Sequence, residues 1–167
     1  MGRWRPPQPP SSAYITPAGF TALENELKQT WKRRHEVVTA LSAAAAEGDR
    51  SENAEYIYRK KELGGLDRRI RYLQKRIPSL TVVGQTGDPD KIFFGAWVDL
   101  EAEDRKLVTY RIVGADETDA KRGFISLDSP LSKELLGKQV DDEIRLTLGD
   151  AHHVYRVVAI RYLPTEL

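Results

Sequence analysis

The chain has 167 residues, enough for one ordinary domain or two small ones, and its net charge of +1 hides a division between a basic N-terminal half and an acidic C-terminal half. It contains no cysteine, which excludes disulfides, thiolate metal sites and cysteine nucleophiles. No apolar stretch approaches the ~20 residues of a membrane span, and the first residues lack the apolar core of a secretory signal, so we expect a cytoplasmic protein without membrane contact. Residues 1–13 are rich in proline and serine and are predicted to form a disordered tail.

Two long helices are predicted to follow the tail. Thr16 as N-cap and Pro17 at the first helical position open the first helix, which is expected to end near Glu47. The second helix is expected to run from about Ser51 to Ile77, just before a proline.

The apolar residues of both helices recur at alternating spacings of three and four, as in a coiled coil. Folding the chain back at residue 50 brings the two seams into register, which predicts an antiparallel hairpin domain over residues 14–80 with its tip about 45 Å from its base. The Gly64-Gly65 pair opposes this pattern, and either a local bend or a close helix approach beside Arg34 would account for it. The seams consist of Phe20, Leu23, Leu27, Thr30, Arg34, Val37, Leu41 and Ala44, and of Tyr56, Arg59, Leu63, Leu66, Ile70, Leu73, Ile77 and Leu80.

Alternating, β-branched segments after Pro78 predict a small sheet domain over residues 81–167. A short helix is expected from Ser129-Pro130 to about Gly137. The predicted fold class is therefore α+β, with an N-terminal antiparallel α-helical coiled-coil hairpin and a small C-terminal α+β domain. The expected strands are Leu80–Val83, Ala96–Glu101, Leu107–Val113, Phe124–Leu127, Ile144–Leu148 and Val154–Tyr162.

Four acidic residues gather at the predicted tip, namely Glu47, Asp49, Glu52 and Glu55. Asp49 followed three residues later by Glu52 fits a capping box, which is one explanation for them. Capping needs only one or two acids, however, and an acidic cluster at the end of an exposed arm is suited to meeting a cation elsewhere. Carboxylates are normal ligands of Mg²⁺, but two of them leave most of its coordination sites to other ligands. Asp49 and Glu52 are therefore candidate catalytic and metal-binding residues, with no tight Mg²⁺ site expected on the free protein.

The outer face of the second helix is predicted to be basic, with Lys61, Arg68 and Lys75 sharing the outward heptad position. One explanation is a solvated helix surface, which usually mixes both signs of charge in i,i+4 pairs. Residues 68–76 contain five basic and no acidic residues, which favours contact with nucleic-acid phosphates. The candidate nucleic-acid-binding residues are Lys61, Arg68, Arg69, Arg71, Lys75 and Arg76. No Walker loop, G-x-S-x-G elbow or zinc spacing is present, so a self-contained enzyme is not expected.

Several motifs resemble those of the Gre transcript-cleavage factors, and the resemblance extends over residues 14–163. The motifs occur in the family's order and are Gly48-Asp49-Arg50-Ser51-Glu52-Asn53-Ala54-Glu55-Tyr56, Phe94-Gly95-Ala96, Tyr110-Arg111-Ile112-Val113-Gly114 and Ile125-Ser126-Leu127-Asp128-Ser129-Pro130. Arg50 and the segments 67–73 and 93–98 are similar to the GreB branch of this family rather than the GreA branch.

The resemblance implies a transcription elongation factor whose FKBP-like C-terminal domain docks on bacterial RNA polymerase and whose coiled coil enters the secondary channel. The family's two tip acids correspond to Asp49 and Glu52, which would help to hold the second Mg²⁺ of the polymerase active site. The polymerase would then cleave the backtracked nascent RNA near its 3′ end, with this protein as a cofactor and not an enzyme. The basic face would guide the extruded RNA.

Two other functions fit parts of the same pattern. A non-cleaving regulator of the secondary channel would have the same shape and a different tip chemistry, and Asp49 together with Glu52 argues against it. A coiled-coil chaperone or scaffold would favour apolar client-binding residues at the tip, whereas this tip is acidic.

Overall fold

The computed structural model describes residues 10–47, 53–84 and 88–162. The chain divides into two compact units: residues 20–80 form the helical unit, and the described residues before 20 and after 80 form the sheet unit. No helix within the described ranges combines the length and the apolar character needed to span a bilayer.

Two helices account for most of the helical unit. α1 spans Pro17–Ala46 and α2 spans Ala54–Arg76, followed by a 3₁₀ turn at Ile77–Ser79. The Thr16 hydroxyl accepts a hydrogen bond from the Gly19 amide at 3.1 Å, which confirms the predicted N-cap of α1. α2 begins later than predicted because its N-cap is Asn53.

The predicted coiled-coil seams are confirmed, since every one of their members is buried or half-buried. The most deeply buried are Leu23, Val37 and Ala44 on α1 and Ile70 and Leu73 on α2. The regular spacing of apolar residues thus determines which face of each helix is turned toward the other.

Ion pairs between the two helices fix their antiparallel register. Glu26, early on α1, pairs with a residue late on α2, whereas the pairs made from the middle of α1 reach earlier residues of α2. The pairing also explains Arg34, a polar member of the predicted seam, because its guanidinium reaches the carboxylate of Asp67. The pairs are Arg69–Glu26 (2.5 Å), Arg33–Glu62 (2.7 Å) and Arg34–Asp67 (2.6 Å).

The Gly64-Gly65 pair lies inside an uninterrupted α2, where each glycine is expected to cost about 1 kcal/mol relative to alanine. A Cβ added to either glycine would lie near one group only, the Arg68 guanidinium, at 3.5 and 3.8 Å. These are ordinary van der Waals distances. Close approach of α1 is therefore not the reason for the two glycines, which corrects one of the two explanations considered from the sequence.

A small two-stranded sheet in the sheet unit was not predicted. β1 at Tyr14–Ile15 pairs in parallel with β2 at Thr81–Val82, which is shorter than the predicted strand over residues 80–83. This pairing groups residues 14–19 with the sheet unit, whereas the sequence boundary placed them with the hairpin. The Ser12 amide also donates to Asp128 at 2.8 Å, so the described end of the predicted tail is ordered, while residues 1–9 lie outside the described residues.

The larger sheet has five strands and is covered by one short helix, α3, at Pro130–Leu135. Its strands are β3 Trp97–Ala102, β4 Leu107–Val113, β5 Phe124–Ser126, β6 Glu143–Leu148 and β7 Ala151–Arg161. They lie in the order β5-β4-β3-β7-β6, in which β4 and β5 are parallel and the other neighbours are antiparallel. One side of the sheet and α3 enclose a core that includes Val98, Leu100, Ile112 and Leu135. Together with the helical hairpin, this arrangement confirms the predicted α+β class.

Candidate functional site

Asn53 joins the two helix ends next to the tip. Its side-chain oxygen accepts a hydrogen bond from the Tyr56 amide at 3.1 Å, and its side-chain nitrogen donates to the Ala44 carbonyl at 2.9 Å. Ala44 is itself buried between the helices. One side chain therefore caps α2 and ties its first turn to the last turn of α1, so the two helix ends that flank residues 48–52 are held together.

The candidate catalytic residues Asp49 and Glu52 lie outside the described residues, as does the rest of the tip from 48 to 52. The described structure bears on the capping explanation, because the N-cap of α2 is Asn53 and not Asp49. The start of α2 therefore has its capping oxygen without either of the two acids.

The other two tip acids differ in their surroundings. Glu47 is exposed, whereas the carboxylate of Glu55 accepts a hydrogen bond from Arg59 one helical turn away at 2.9 Å. Within the described ranges, no three histidine, aspartate or glutamate side chains cluster closely enough to hold a metal ion. Carboxylate oxygens are nevertheless the appropriate donors for Mg²⁺, so the donor chemistry of Asp49 and Glu52 fits that ion when other ligands complete its octahedron.

Five of the six predicted basic residues are exposed on α2, and four of these five are not paired with an acidic side chain among the described residues. Lys61, Arg68, Arg71 and Lys75, which we call the outward group, are all exposed. Among the described residues, no ion pair involves Lys61, Arg68 or Lys75, and Arg71 makes only a long bond of 3.4 Å to the Asp67 carbonyl. The outward group therefore presents positive charge that the described part of the hairpin does not neutralise.

The remaining two basic residues have structural roles as well. Arg69 donates two hydrogen bonds to the carboxylate of Glu26, at 2.5 and 3.0 Å, and its guanidinium lies 5.2 Å from the centre of the Tyr72 ring. Arg76 is half-buried in the last turn of α2, where a positive charge favours the negative end of the helix dipole. Neither residue is as available to a phosphate as the outward group.

Charge on the opposite edge of α2 is largely neutralised by pairing. The Glu62 carboxylate accepts hydrogen bonds from Arg33 at 2.7 Å and Arg59 at 3.1 Å. The bond from Arg33 is the main cause that lowers the pKa of Glu62. The pKa of Arg33 is raised chiefly by its bond to Glu62, and the pKa of Arg59 is raised by its bonds to Glu55 first and Glu62 second. Positive charge on α2 is thus concentrated on the outer face.

Two features of this region were missed from the sequence. Asn53 is a residue type that favours N-caps, and its position before an alanine and a glutamate could have indicated the true start of α2. The Arg69–Glu26 pair joins residues 43 positions apart, and no local pattern predicts which basic residue of α2 pairs with Glu26.

A coiled-coil hairpin with an acidic tip and a basic outer face, joined to a small α+β domain, defines the class of two-part elongation factors that the sequence motifs indicated. Family models match both parts: "Transcription elongation factor, N-terminal" matches residues 13–82, and "Transcription elongation factor, GreA/GreB, C-term" matches residues 86–162. The chain belongs to the GreA/GreB family of transcription elongation factors.

Relatives agree with the predicted branch of this family. The protein named transcription elongation factor GreB of Xanthomonas axonopodis pv. citri is 57% identical over 165 residues, covering 97% of this chain and 98% of the relative. The protein of the same name from Pseudomonas aeruginosa is 48% identical over 166 residues, covering 98% and 99%. Among solved structures, GreA factor homolog 1 (Gfh1) of Thermus thermophilus is 25% identical, with 90% of this chain and 99% of that chain covered and a TM-score of 0.42. The predicted similarity to the GreB branch is confirmed by the first two.

Proposed function

We propose that this protein is a transcription elongation factor that binds RNA polymerase and stimulates the polymerase to cleave its own transcript. The observation that supports this most strongly is the 57% identity to a GreB-named elongation factor over nearly the full length of both chains. The phosphodiester bond is cut in the polymerase active site, so the protein is a stimulating cofactor and not an enzyme. It acts in the cytoplasm, where bacterial transcription takes place.

The tip is the part of the chain that we propose reaches the reacting atoms. Asp49 and Glu52 contribute carboxylate oxygens there, as ligands of an Mg²⁺ ion that they would share with the polymerase. A second Mg²⁺, when bound, supplies a more acidic water and stabilises negative charge at the phosphodiester. Asn53 acts as a positioning residue, because it ties together the two helix ends between which both acids lie in the sequence.

The outward group acts on the RNA and not on the bond that breaks. We propose that Lys61, Arg68, Arg71 and Lys75 contact the phosphates of the backtracked nascent RNA as its 3′ end is extruded. Lys and Arg near phosphates supply attraction that is independent of sequence and sensitive to salt. This suits a factor that must act on transcripts of any sequence.

A pull-down with RNA polymerase, followed by a cleavage assay in a halted, backtracked complex, tests the proposal. We expect the full chain to be retained by the polymerase and to release a short 3′ RNA fragment only when Mg²⁺ is present. Retention without cleavage would indicate a non-cleaving channel regulator. Failure to bind polymerase, combined with binding to unfolded client proteins, would instead support a coiled-coil chaperone.

A further inference from the structure

The Gly64-Gly65 pair lacks an explanation within the described residues. Glycine is unfavourable inside a helix, yet α2 is uninterrupted from Ala54 to Arg76. A Cβ at either position would touch nothing but the tip of the flexible Arg68 side chain. Alanine would therefore fit at both positions and would favour the helix. We infer that the requirement for glycine arises from something that approaches this face from outside.

The surroundings of Gly65 indicate what approaches. Lys61, Gly65, Arg68, Tyr72 and Lys75 follow each other at spacings of four, three, four and three, so they form one continuous row along the outer face of α2. Three of the five are cations, and the row contains no acid. A partner with regularly spaced negative charge and flat apolar groups has the complementary chemistry, and single-stranded nucleic acid combines both.

Tyr72 supplies the aromatic element of this row. Its side chain is 42% exposed, away from the buried seam of the helix. The Arg69 guanidinium lies 5.2 Å from the centre of the ring and is itself held by two hydrogen bonds to Glu26. The cation that contacts the ring is thus fixed by the hairpin, which limits the conformations that Tyr72 samples before any ligand binds.

We propose that Gly65, Arg68 and Tyr72 form a subsite for one nucleotide of single-stranded RNA. The missing side chain at Gly65 lets the sugar–phosphate backbone approach the helix, Arg68 pairs with the phosphate, and the Tyr72 ring stacks on the base. Stacking on an aromatic ring is tolerant of sequence because every base has a π face. The subsite rests on the proposed function, in which extruded RNA lies along the outer face of α2.

The first test replaces Tyr72 and measures cleavage in two kinds of complex, one deeply backtracked and one displaced by about one nucleotide. The readout, which we call the deep-to-short ratio, is the cleavage rate of the deeply backtracked complex divided by that of the complex displaced by about one nucleotide, at a subsaturating concentration of this protein. Tyr72→Ala should lower this ratio about tenfold, as expected for loss of one base–aromatic stack, and Tyr72→Phe should retain it. Trp31→Ala is the matched control, because Trp31 is 44% exposed and also lies beside an arginine but is on α1, outside the row.

Abasic RNA separates stacking from any other effect of Tyr72. Each transcript of a series has one abasic ribonucleotide at a different position in the extruded segment. At one position, the deep-to-short ratio of the wild-type protein should fall as far as it does when Tyr72→Ala acts on normal RNA. At that position Tyr72→Ala should cause no further reduction, since the two changes remove the same stacking interaction. Additive reductions at every position would overturn the subsite.

Gly65→Gln tests the glycine independently of the ring. The longer side chain should cover the approach to the helix and lower the deep-to-short ratio, while replacing glycine with a helix former should raise the melting temperature by about 2–4 °C. Equal reductions in deep and short complexes would mean that the glycines serve the arm's own flexibility, which overturns the subsite. If the wild-type chain fails to stimulate even short complexes, the proposed function fails. If short complexes are cleaved normally and the ratio is unchanged in every variant, only the subsite fails.

Discussion

The helical unit and the sheet unit bury their apolar residues in different ways. In the sheet unit, strands β3, β4, β6 and β7 enclose a continuous core together with α3, and Leu100, Ile112 and Leu135 are fully inaccessible. In the helical unit only a narrow seam is buried, and ion pairs across the seam help to fix the register. Most side chains of α1 and α2 therefore lie on a surface.

This difference indicates where stability and function are located. A residue in the sheet core can be changed only at the expense of packing, whereas most residues of α2 can be changed with little effect on the fold. Residues such as Arg68 and Tyr72 are thus open to selection for what they contact outside the chain. Substitutions in the two units should accordingly separate loss of activity from loss of stability.

The largest expected effect is at the tip. Asp49→Ala or Glu52→Ala should abolish stimulated cleavage while leaving polymerase binding nearly intact, because each removes an oxygen ligand without changing the sheet unit, which is the proposed docking domain. Cleavage assays and pull-downs on the same preparations measure the two properties. Glu55→Gln is the control, since Glu55 is another tip acid whose carboxylate is bonded to Arg59. Normal cleavage by both alanine variants would return Asp49 and Glu52 to a structural role.

A smaller and more selective effect is expected on the outer face of α2. Arg68→Gln combined with Lys75→Gln should slow cleavage of deeply backtracked complexes far more than that of complexes displaced by about one nucleotide. The salt dependence of the deep reaction should also become shallower, by about 0.7 in log–log slope for each RNA phosphate that is no longer neutralised. The matched control is Lys28→Gln with Lys32→Gln, two exposed cations on α1. An equal slowing at every depth would place the outward group against polymerase and not RNA.

Truncation of buried leucines should affect the sheet core more than the seam. Leu100→Ala should lower the free energy of unfolding by about 3–5 kcal/mol and Leu73→Ala by about 2–3 kcal/mol, because the neighbours of a narrow seam can relax into the space more easily. Chemical denaturation of the full chain, followed by circular dichroism, measures both. Leu107→Ala, at a side chain that is 64% exposed, should change the value by less than about 0.5 kcal/mol. The reverse order for the two buried leucines would contradict the comparison.

The smallest effect is electrostatic and concerns pH. Hydrogen bonding, chiefly from Arg33, lowers the pKa of Glu62 from its usual 4.5. A lowered pKa stabilises the folded chain fully above pH 4.5, and this contribution is lost as the pH falls below 4.5 through the folded-state pKa. Glu62→Gln should therefore reduce the fall in melting temperature below pH 4.5 and leave the profile above it parallel to that of the wild type. The exposed Glu24→Gln is the control, and an equal change there would mean that the Arg33 and Arg59 contacts contribute nothing specific.

Repeating patterns made most of the architecture predictable. The seam positions recur over about seven turns of α1 and about six turns of α2. Alternation over β4 predicted its bounds as Leu107–Val113 without error. The strands at Tyr14–Ile15 and Thr81–Val82 are too short to contain a period, so their parallel pairing depends on the tertiary fold. The pairing of Arg69 with Glu26 could not be predicted from the sequence either, because it depends on which side chains meet across the seam.

The sequence predicted which residues belong to the candidate site better than it predicted how they contact one another. The sequence indicated a basic outer face, and five of its six residues are exposed on α2. Nothing in the sequence pattern indicated that Asn53 bridges both helix ends. The roles of Asp49 and Glu52 stay predictions, since they depend on the polymerase active site that the tip would meet.

The dependence of cleavage on Mg²⁺ concentration tests most directly whether the tip acids are metal ligands. Rates would be measured in one halted complex for the wild type, Asp49→Asn and Glu52→Gln, with Glu47→Gln as control. If the acids help to hold the second ion, both amide variants should need at least about tenfold more Mg²⁺ for half-maximal cleavage, and excess Mg²⁺ should partly restore their rates. The control should follow the wild type. Variants with the same Mg²⁺ dependence as the wild type and only a lower maximal rate would contradict a role for Asp49 and Glu52 as ligands.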